Sequence, residues 1–210
     1  MYQLVKTKKQ QRNFERTWEY FCHKYHWYND PYAKNGVRYN LMNEKDTIGT
    51  IEFIPYIPNS PTSTVEGKSC DFSQFHAIAQ QKGKVWEVDK LCINEGYQRQ
   101  GHFNQFIEVF YDHMSKYKPI YYLAFIEERF YRMLKINFRL QIDVLGEPLI
   151  EHNTKLLPVS IKVDDLIKRH YEVFEETIID LQRNGKFLQA CRSFWKSRLK
   201  NMSYSIYDQI

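Results

Sequence analysis

Apolar residues recur at intervals of three and four along residues 9–28, where Phe14, Trp18, Phe21, Cys22 and Tyr25 share one face. That period predicts an amphipathic helix, and the run NDPYAKNG ends it. Two stretches of strand character, VRYNLMN and TIGTIEFIPY, flank NEKD and predict a hairpin. A Pro/Ser/Thr-rich loop, IPNSPTSTVEGKSCD, leads to a short helix near 73–82 and then to the strand VWEVDKLCI. The segment HFNQFIEVFYDHMSKY keeps helical spacing for about four turns. PIYYLAFI is a near-continuous apolar run, the pattern of a strand covered on both faces. EERFYRMLKIN returns to helical spacing, and FRLQIDVLG and LLPVSIKV return to strand.

The pattern changes after residue 163. Residues 164–183 and 186–201 read as two helices joined at Asn184-Gly185, with Leu166, Ile167, Tyr171, Phe174, Ile178 and Leu181 on one buried face. Such a helical hairpin needs a surface to cover. Either it packs on the domain formed by residues 1–163, or it meets a second copy of the chain and forms a homodimer. The first option suits a wall for an apolar pocket, since the tail also carries Phe187, Leu188, Phe194 and Trp195. The order of elements predicts a mixed α/β domain, with hairpins at both ends and no internal repeat.

Composition narrows the classes. With 26% charged and 16% aromatic residues, the 210-residue chain is a folded protein of one domain plus an appendage. The formal charge of +5 fits an anionic ligand and does not call for a nucleic-acid partner. Cys22, Cys70, Cys92 and Cys191 show no CxxC pair, and the His23–His26 spacing has no carboxylate motif around it, so no metal is expected. The N-terminal stretch has no apolar signal region and no apolar run approaches the ~20 residues of a membrane span, which predicts a cytoplasmic protein with reduced thiols.

The stretch LCINEGYQRQGHFNQFIEVF raises the question of chemistry. A strand runs into a helix through a loop with an Arg, a Gly and almost no acid. The first amides of a helix lack partners and lie at the positive end of its dipole, so such a loop can cradle a phosphate. Gly101 would let the backbone approach and Arg99 would add a charged contact. The same residues also describe an ordinary turn with a solvated arginine.

A resemblance adds to this reading. YQRQGHF resembles motif A of the GCN5-related N-acetyltransferases, Gln/Arg-x-x-Gly-x-Gly/Ala, with Gln98 in the first position, Gly101 as the glycine and Phe103 where Gly or Ala stands. EERFYRMLKINF resembles motif B; Asn137 replaces its glycine and Met133 stands where a general-acid tyrosine is often kept, with Tyr131 two residues earlier. VWEVDKLCI is similar to the W-E-x-S-R-F-x-V strand of acyl-homoserine-lactone synthases and related long-chain N-acyltransferases; Glu87 matches and Lys90 replaces the arginine. TIGTIEFIPY resembles their G-x-x-R-L-x-P strand, with Glu52 for arginine, IDVLGEPL resembles V-x-V-L-G-P-P, and Trp27 matches a tryptophan after the first helix. The resemblance spans residues 10–160.

It implies a strongly twisted central sheet flanked by helices, and transfer of an acyl group, foremost acetyl, from acetyl-CoA or another acyl-CoA to a small-molecule amine. Gln98, Arg99, Gln100, Gly101, His102 and Phe103 would hold the donor's pyrophosphate, and the main chain of Leu91, Cys92 and Ile93 would line the pantetheine arm. A longer acyl donor on an acyl carrier protein is the nearer alternative, though the changes at Glu52 and Lys90 argue against homoserine-lactone chemistry. A non-catalytic module that binds a CoA-like ligand is the other.

Amine acylation needs a free-base nucleophile, which a carboxylate with raised pKa can supply. On a regular strand Glu87, Asp89, Leu91 and Ile93 face one way and Trp86, Val88, Lys90 and Cys92 the other. Glu87 is therefore either the base or half of a structural ion pair whose partner lies elsewhere, unless a bulge brings Lys90 round. Tyr131 is either the general acid or a helix-face tyrosine. Cys92, on an apolar strand with no histidine near it in sequence, reads as a core residue rather than a nucleophile.

Overall fold

The computed structural model describes residues 1–151 and 154–166; apart from the first three residues of 164–183, both helices expected in the tail lie outside them. Strand β1 (Tyr2–Leu4) leads into helix α1 (Lys8–Tyr25). A reciprocal cap starts the helix: Gln10 N donates to Thr7 Oγ1 at 3.3 Å, and Thr7 N donates to Gln10 Oε1 at 2.9 Å. His26, with φ 57°, ends it, and Trp27 N donates to Cys22 O at 2.9 Å. Of the face predicted from the apolar period, Phe14, Trp18 and Cys22 are buried and Phe21 is half-buried, while Tyr25, at the end of the helix, is exposed.

Strands β2 (Val37–Asn43) and β3 (Asp46–Pro55) form the expected hairpin, turned through Glu44 at φ 52°. The loop that follows ends in one 3-10 turn (Phe72–Gln74) and the short helix α2 (His76–Ala79). Strand β4 (Val85–Ile93) lies antiparallel to β3. Helix α3 (Asn104–Tyr117) crosses over to strand β5 (Tyr121–Glu127), which is parallel to β4. Helix α4 (Glu128–Asn137) follows directly. Of the expected strand over 138–146 only β6 (Asp143–Val144) forms, because it pairs with β8 (Thr154–Lys162) over two residues. Two short strands were not foreseen: β1, on the outer edge of β2, and β7 (Leu149–Glu151), which also pairs with β8.

The sheet order is β1-β2-β3-β4-β5-β8-β6, with β7 on β8. One face meets α1, where Asn40 Nδ2 donates to the Gln10 carbonyl at 3.1 Å and Trp18 and Cys22 pack on Cys92. The other face meets α3. There the buried His113 ring stacks on Phe53 at 4.0 Å and on Tyr117 at 4.6 Å, its Nδ1 lies 2.9 Å from Tyr122 Oη, and Trp86 meets it edge-on at 4.5 Å. A third cluster, Tyr56, Val65, Cys70, Phe72, Ile78, Val85 and Leu123, binds the 57–75 loop to the base of β4 and β5.

Two departures from regularity place the site. β4 and β5 pair only from Val85–Tyr121 to Glu87–Leu123, whereas β5 runs on to Glu127 against β8. Beyond Glu87 the two parallel strands therefore diverge and leave a cleft. The second departure is a β-bulge: Thr50 faces Cys92 and Glu52 faces Asp89, so Ile51 alone opposes both Lys90 and Leu91. Lys90 takes the left-handed conformation, φ 50°. The extra residue reverses the faces expected beyond it, since the side-chain period is two. Cys92 lies with Glu87 and Asp89 on the α1 side, 3.2 Å from Thr50 Oγ1, not with Trp86 and Val88.

Candidate functional site

The cleft wall is the end of β4, and the cradle loop continues from it. A 3-10 turn (Glu95–Tyr97) is tied to the end of α1 by a Lys24–Glu95 ion pair. Gln98 Nε2 donates to the Ile93 carbonyl at 2.9 Å, and Gln100 Nε2 to the Gly96 carbonyl at 2.6 Å, so both side chains close the loop on itself. Arg99 and Gly101 have φ of 63° and 81°. A Cβ on Gly101 would touch no protein atom within 4 Å, so its backbone angle and not packing asks for glycine there. Among the described residues, no carbonyl receives a backbone hydrogen bond of ordinary geometry from the amides of Arg99 to Phe103. These amides precede the N-terminus of α3, the arrangement suited to an anion.

Phe103, at the position where Gly or Ala was the pattern, turns away from this loop. Its ring packs 4.6 Å from Phe138, 5.7 Å from Phe106 and 6.0 Å from Phe130, filling the gap between α3 and α4. His102 Nδ1 lies 3.2 Å from Gln105 Nε2, and the His102 ring is 5.8 Å from Tyr97.

On the α1 side of β4 stands a row of buried charges. Glu87 is 1% exposed and accepts three hydrogen bonds from the 57–75 loop: Ser63 Oγ at 2.7 Å, Thr64 N at 2.7 Å and Thr64 Oγ1 at 2.8 Å. Burial pushes its carboxyl above the ordinary range, and these three donors pull against that. It has no ion-pair partner among the described residues; its partners are the Ser and Thr of a loop whose polar composition marked it only as irregular. Lys90 meets Asp89 Oδ2 at 2.6 Å and Glu52 Oε2 at 3.2 Å, and Arg38 Nη2 meets Glu52 Oε1 at 2.7 Å. Burial favours a neutral Lys90, but Asp89 and Glu52 outweigh it and hold the ammonium charged. The Tyr32 ring covers this network, 5.3 Å from Lys90 Nζ and 5.6 Å from Arg38 Cζ. At its rim Lys68 reaches Asp30 at 3.6 Å and lies 5.8 Å above the Phe125 ring on β5.

The structure thus places Leu91, Cys92, Ile93 and Gln98 to Phe103 along one continuous wall and loop. Tyr131 sits on α4 with the Lys135 ammonium 5.4 Å over its ring. Cys92 is buried, which pushes its thiol up to about 11, far from a ready thiolate. Sequence reasoning missed the joint role of Arg38, Glu52, Asp89 and Lys90. Two adjacent polar residues, Asp89-Lys90, break the alternation of VWEVDKLCI, and that break was the available signal of the bulge.

Comparison with solved structures gives the fold independently. The chain is similar to FeeM, an N-acyl amino acid synthase from uncultured soil microbes, at 10% identity and TM-score 0.57, covering 80% of this chain and 93% of that one. It is similar to the acyl-homoserine-lactone synthase LasI at 8% identity and TM-score 0.57, covering 77% of this chain and 89% of the other. A CoA-dependent acyl-homoserine lactone synthase, BjaI, solved with SAM and isopentyl-CoA, aligns at 12% identity and TM-score 0.55 over 77% of this chain and 80% of its own. No family model matches the sequence, and no curated protein matches it.

Proposed function

We propose, from the premise that this chain has the GCN5-related N-acyltransferase fold, that it moves an acyl group from a coenzyme A thioester to a small-molecule amine. The observation that carries the reading is the parting of β4 from β5 beyond Glu87–Leu123, with the unengaged amides of Arg99 to Phe103 at its end. A linear thioester with a diphosphate terminus fits that combination. Its diphosphate would rest on the Gln98–Phe103 loop and its amide-bearing arm beside Leu91, Cys92 and Ile93. BjaI, whose structure was solved with an acyl-CoA, shares the fold. Acetyl is the acyl group we assign first; a longer chain would need an apolar pocket beside the thioester.

The chemistry needs no covalent enzyme intermediate. The amine nitrogen attacks the thioester carbonyl, forming a C–N bond. The tetrahedral oxyanion collapses, the C–S bond breaks, Glu87 takes the amine proton, Tyr131 protonates the departing thiolate, and proton exchange with solvent resets both groups. Main-chain N–H groups at the bulged end of β4 can hold the oxyanion. Glu87 is the base in this reading, with its raised carboxyl pKa as support. Tyr131 is the assigned proton donor to the thiolate, and Tyr131→Phe tests it through turnover alone.

Calorimetric titration with coenzyme A is the primary experiment. Wild type is expected to bind, and Gly101→Asp, which puts a side chain on a left-handed residue and a negative charge beside the phosphates, should weaken binding by one to two orders of magnitude, roughly 1–3 kcal/mol. A folded Gly101→Asp protein with wild-type affinity would move the donor site elsewhere. Transfer from acetyl-CoA to a mixture of amines, read by mass spectrometry, separates an enzyme from a CoA-binding module.

A further inference from the structure

We infer that Lys90 is a positioning residue, whose buried ion pairs lock the bulge in β4 and so fix the direction of the main chain from Leu91 to Ile93. The inference rests on the donor-binding reading above for its functional consequence, and on geometry alone for the lock itself.

Lys90 is the extra residue of the bulge, and three contacts hold it. Its Nζ meets Asp89 Oδ2 at 2.6 Å and Glu52 Oε2 at 3.2 Å, and its carbonyl accepts from Thr50 Oγ1 at 2.7 Å. Its side chain is fully buried, an unusual place for a lysine unless it is paired. Its φ of 50° lies in the left-handed region, uncommon for a non-glycine residue inside a strand. In a regular strand this side chain would project toward the α3 face, with Phe53, Trp86 and His113, and away from Glu52. The bulge carries it to the α1 face, where Glu52 stands opposite Asp89. Glu52 is in turn braced by Arg38, and Gly36 leaves room for it, since a Cβ at Gly36 would overlap Glu52 Oε1. Side-chain electrostatics thus select a backbone state, the bulged one. A bulge bends its strand and increases its twist, and β4 leaves β5 within three residues of Lys90.

Three variants of the full-length chain test this: Lys90→Met, Glu52→Gln and Lys90→Arg. Hydrogen exchange is read at the amides of Val88 to Ile93, coenzyme A affinity by calorimetry, and folding by thermal melting. In Lys90→Met the exchange of residues 88–93 should rise while that of β8 and α3 stays as in wild type, and coenzyme A should bind about tenfold more weakly. Lys90→Arg, which keeps the charge, should restore both. Glu52→Gln should give the same local exchange at smaller amplitude, and it stands in if Lys90→Met does not fold. Wild-type exchange at 88–93 in a folded Lys90→Met or Glu52→Gln protein would overturn the lock. A rise in exchange with unchanged coenzyme A affinity would overturn the positioning role and leave the bulge purely architectural. If wild type itself binds no coenzyme A, the donor reading fails instead, and the exchange result still decides the lock.

Discussion

At the scale of single residues, a buried carboxylate is defined by what surrounds it. Glu87 accepts three hydrogen bonds from Ser63 and Thr64, so it fastens the 57–75 loop whether or not it is also the base proposed above. The two roles separate on Glu87→Gln. As the base, its loss should lower turnover by roughly 10²–10⁴ with coenzyme A affinity kept. As a fastener alone, it should lower the melting temperature while leaving turnover of the folded fraction intact. His113 gives a second test. Burial holds its pKa down at about 3, far below the ordinary 6.5, so the folded state keeps the ring neutral while the unfolded chain binds a proton below 6.5. The contribution to stability is complete above pH 6.5 and is lost progressively as pH falls toward 3. The buried carboxyls Glu52 and Glu87, both raised, act in the opposite sense. The measurement is therefore a difference. The melting temperature of His113→Phe should fall less steeply between pH 6.5 and 3 than that of wild type, and parallel curves would assign the acid sensitivity elsewhere.

At the scale of elements, the reciprocal Thr7–Gln10 cap makes α1 a defined rather than a frayed helix, and Thr7→Ala should reduce unfolding free energy by about 1 kcal/mol in a denaturant titration. The long elements were legible before the structure. α1, the β2–β3 hairpin, β4, α3, β5 and α4 follow from apolar periods long enough to average over exceptions. What escaped was short or relational. β1 and β7 are three-residue strands that exist through their neighbours β2 and β8. The 138–142 segment has strand-like residues, but only Asp143 and Val144 reach a partner. The cradle loop was legible because its chemistry is local and sequential. The charge network was not, because Arg38, Glu52 and Lys90 come from three strands, and one residue too many in β4 decides which side of the sheet Lys90 occupies.

At the scale of the molecule, residues Met1–Leu166 form one compact unit that contains every residue assigned to donor binding. A chain ending at Leu166 is accordingly expected to keep wild-type coenzyme A affinity. Loss of acyl transfer with binding kept would assign the acceptor end to the remaining residues, and intact transfer would assign it to the unit described. The charge row on the α1 face and the cradle at the foot of α3 approach the divergence of β4 and β5 from opposite sides of the sheet.

The bulge has a consequence for how such a molecule tolerates insertions and deletions. Remove Lys90 alone, and Leu91 falls opposite Ile51, while Cys92 and Ile93 keep their partners Thr50 and Gly49. No side chain beyond the gap changes sides, and β4 becomes a regular strand. A deletion of one codon would thus leave the apolar pattern of the chain consistent while abolishing the feature that turns its strand away from the next. In this strand the bulged and the regular backbone differ by a single amino acid.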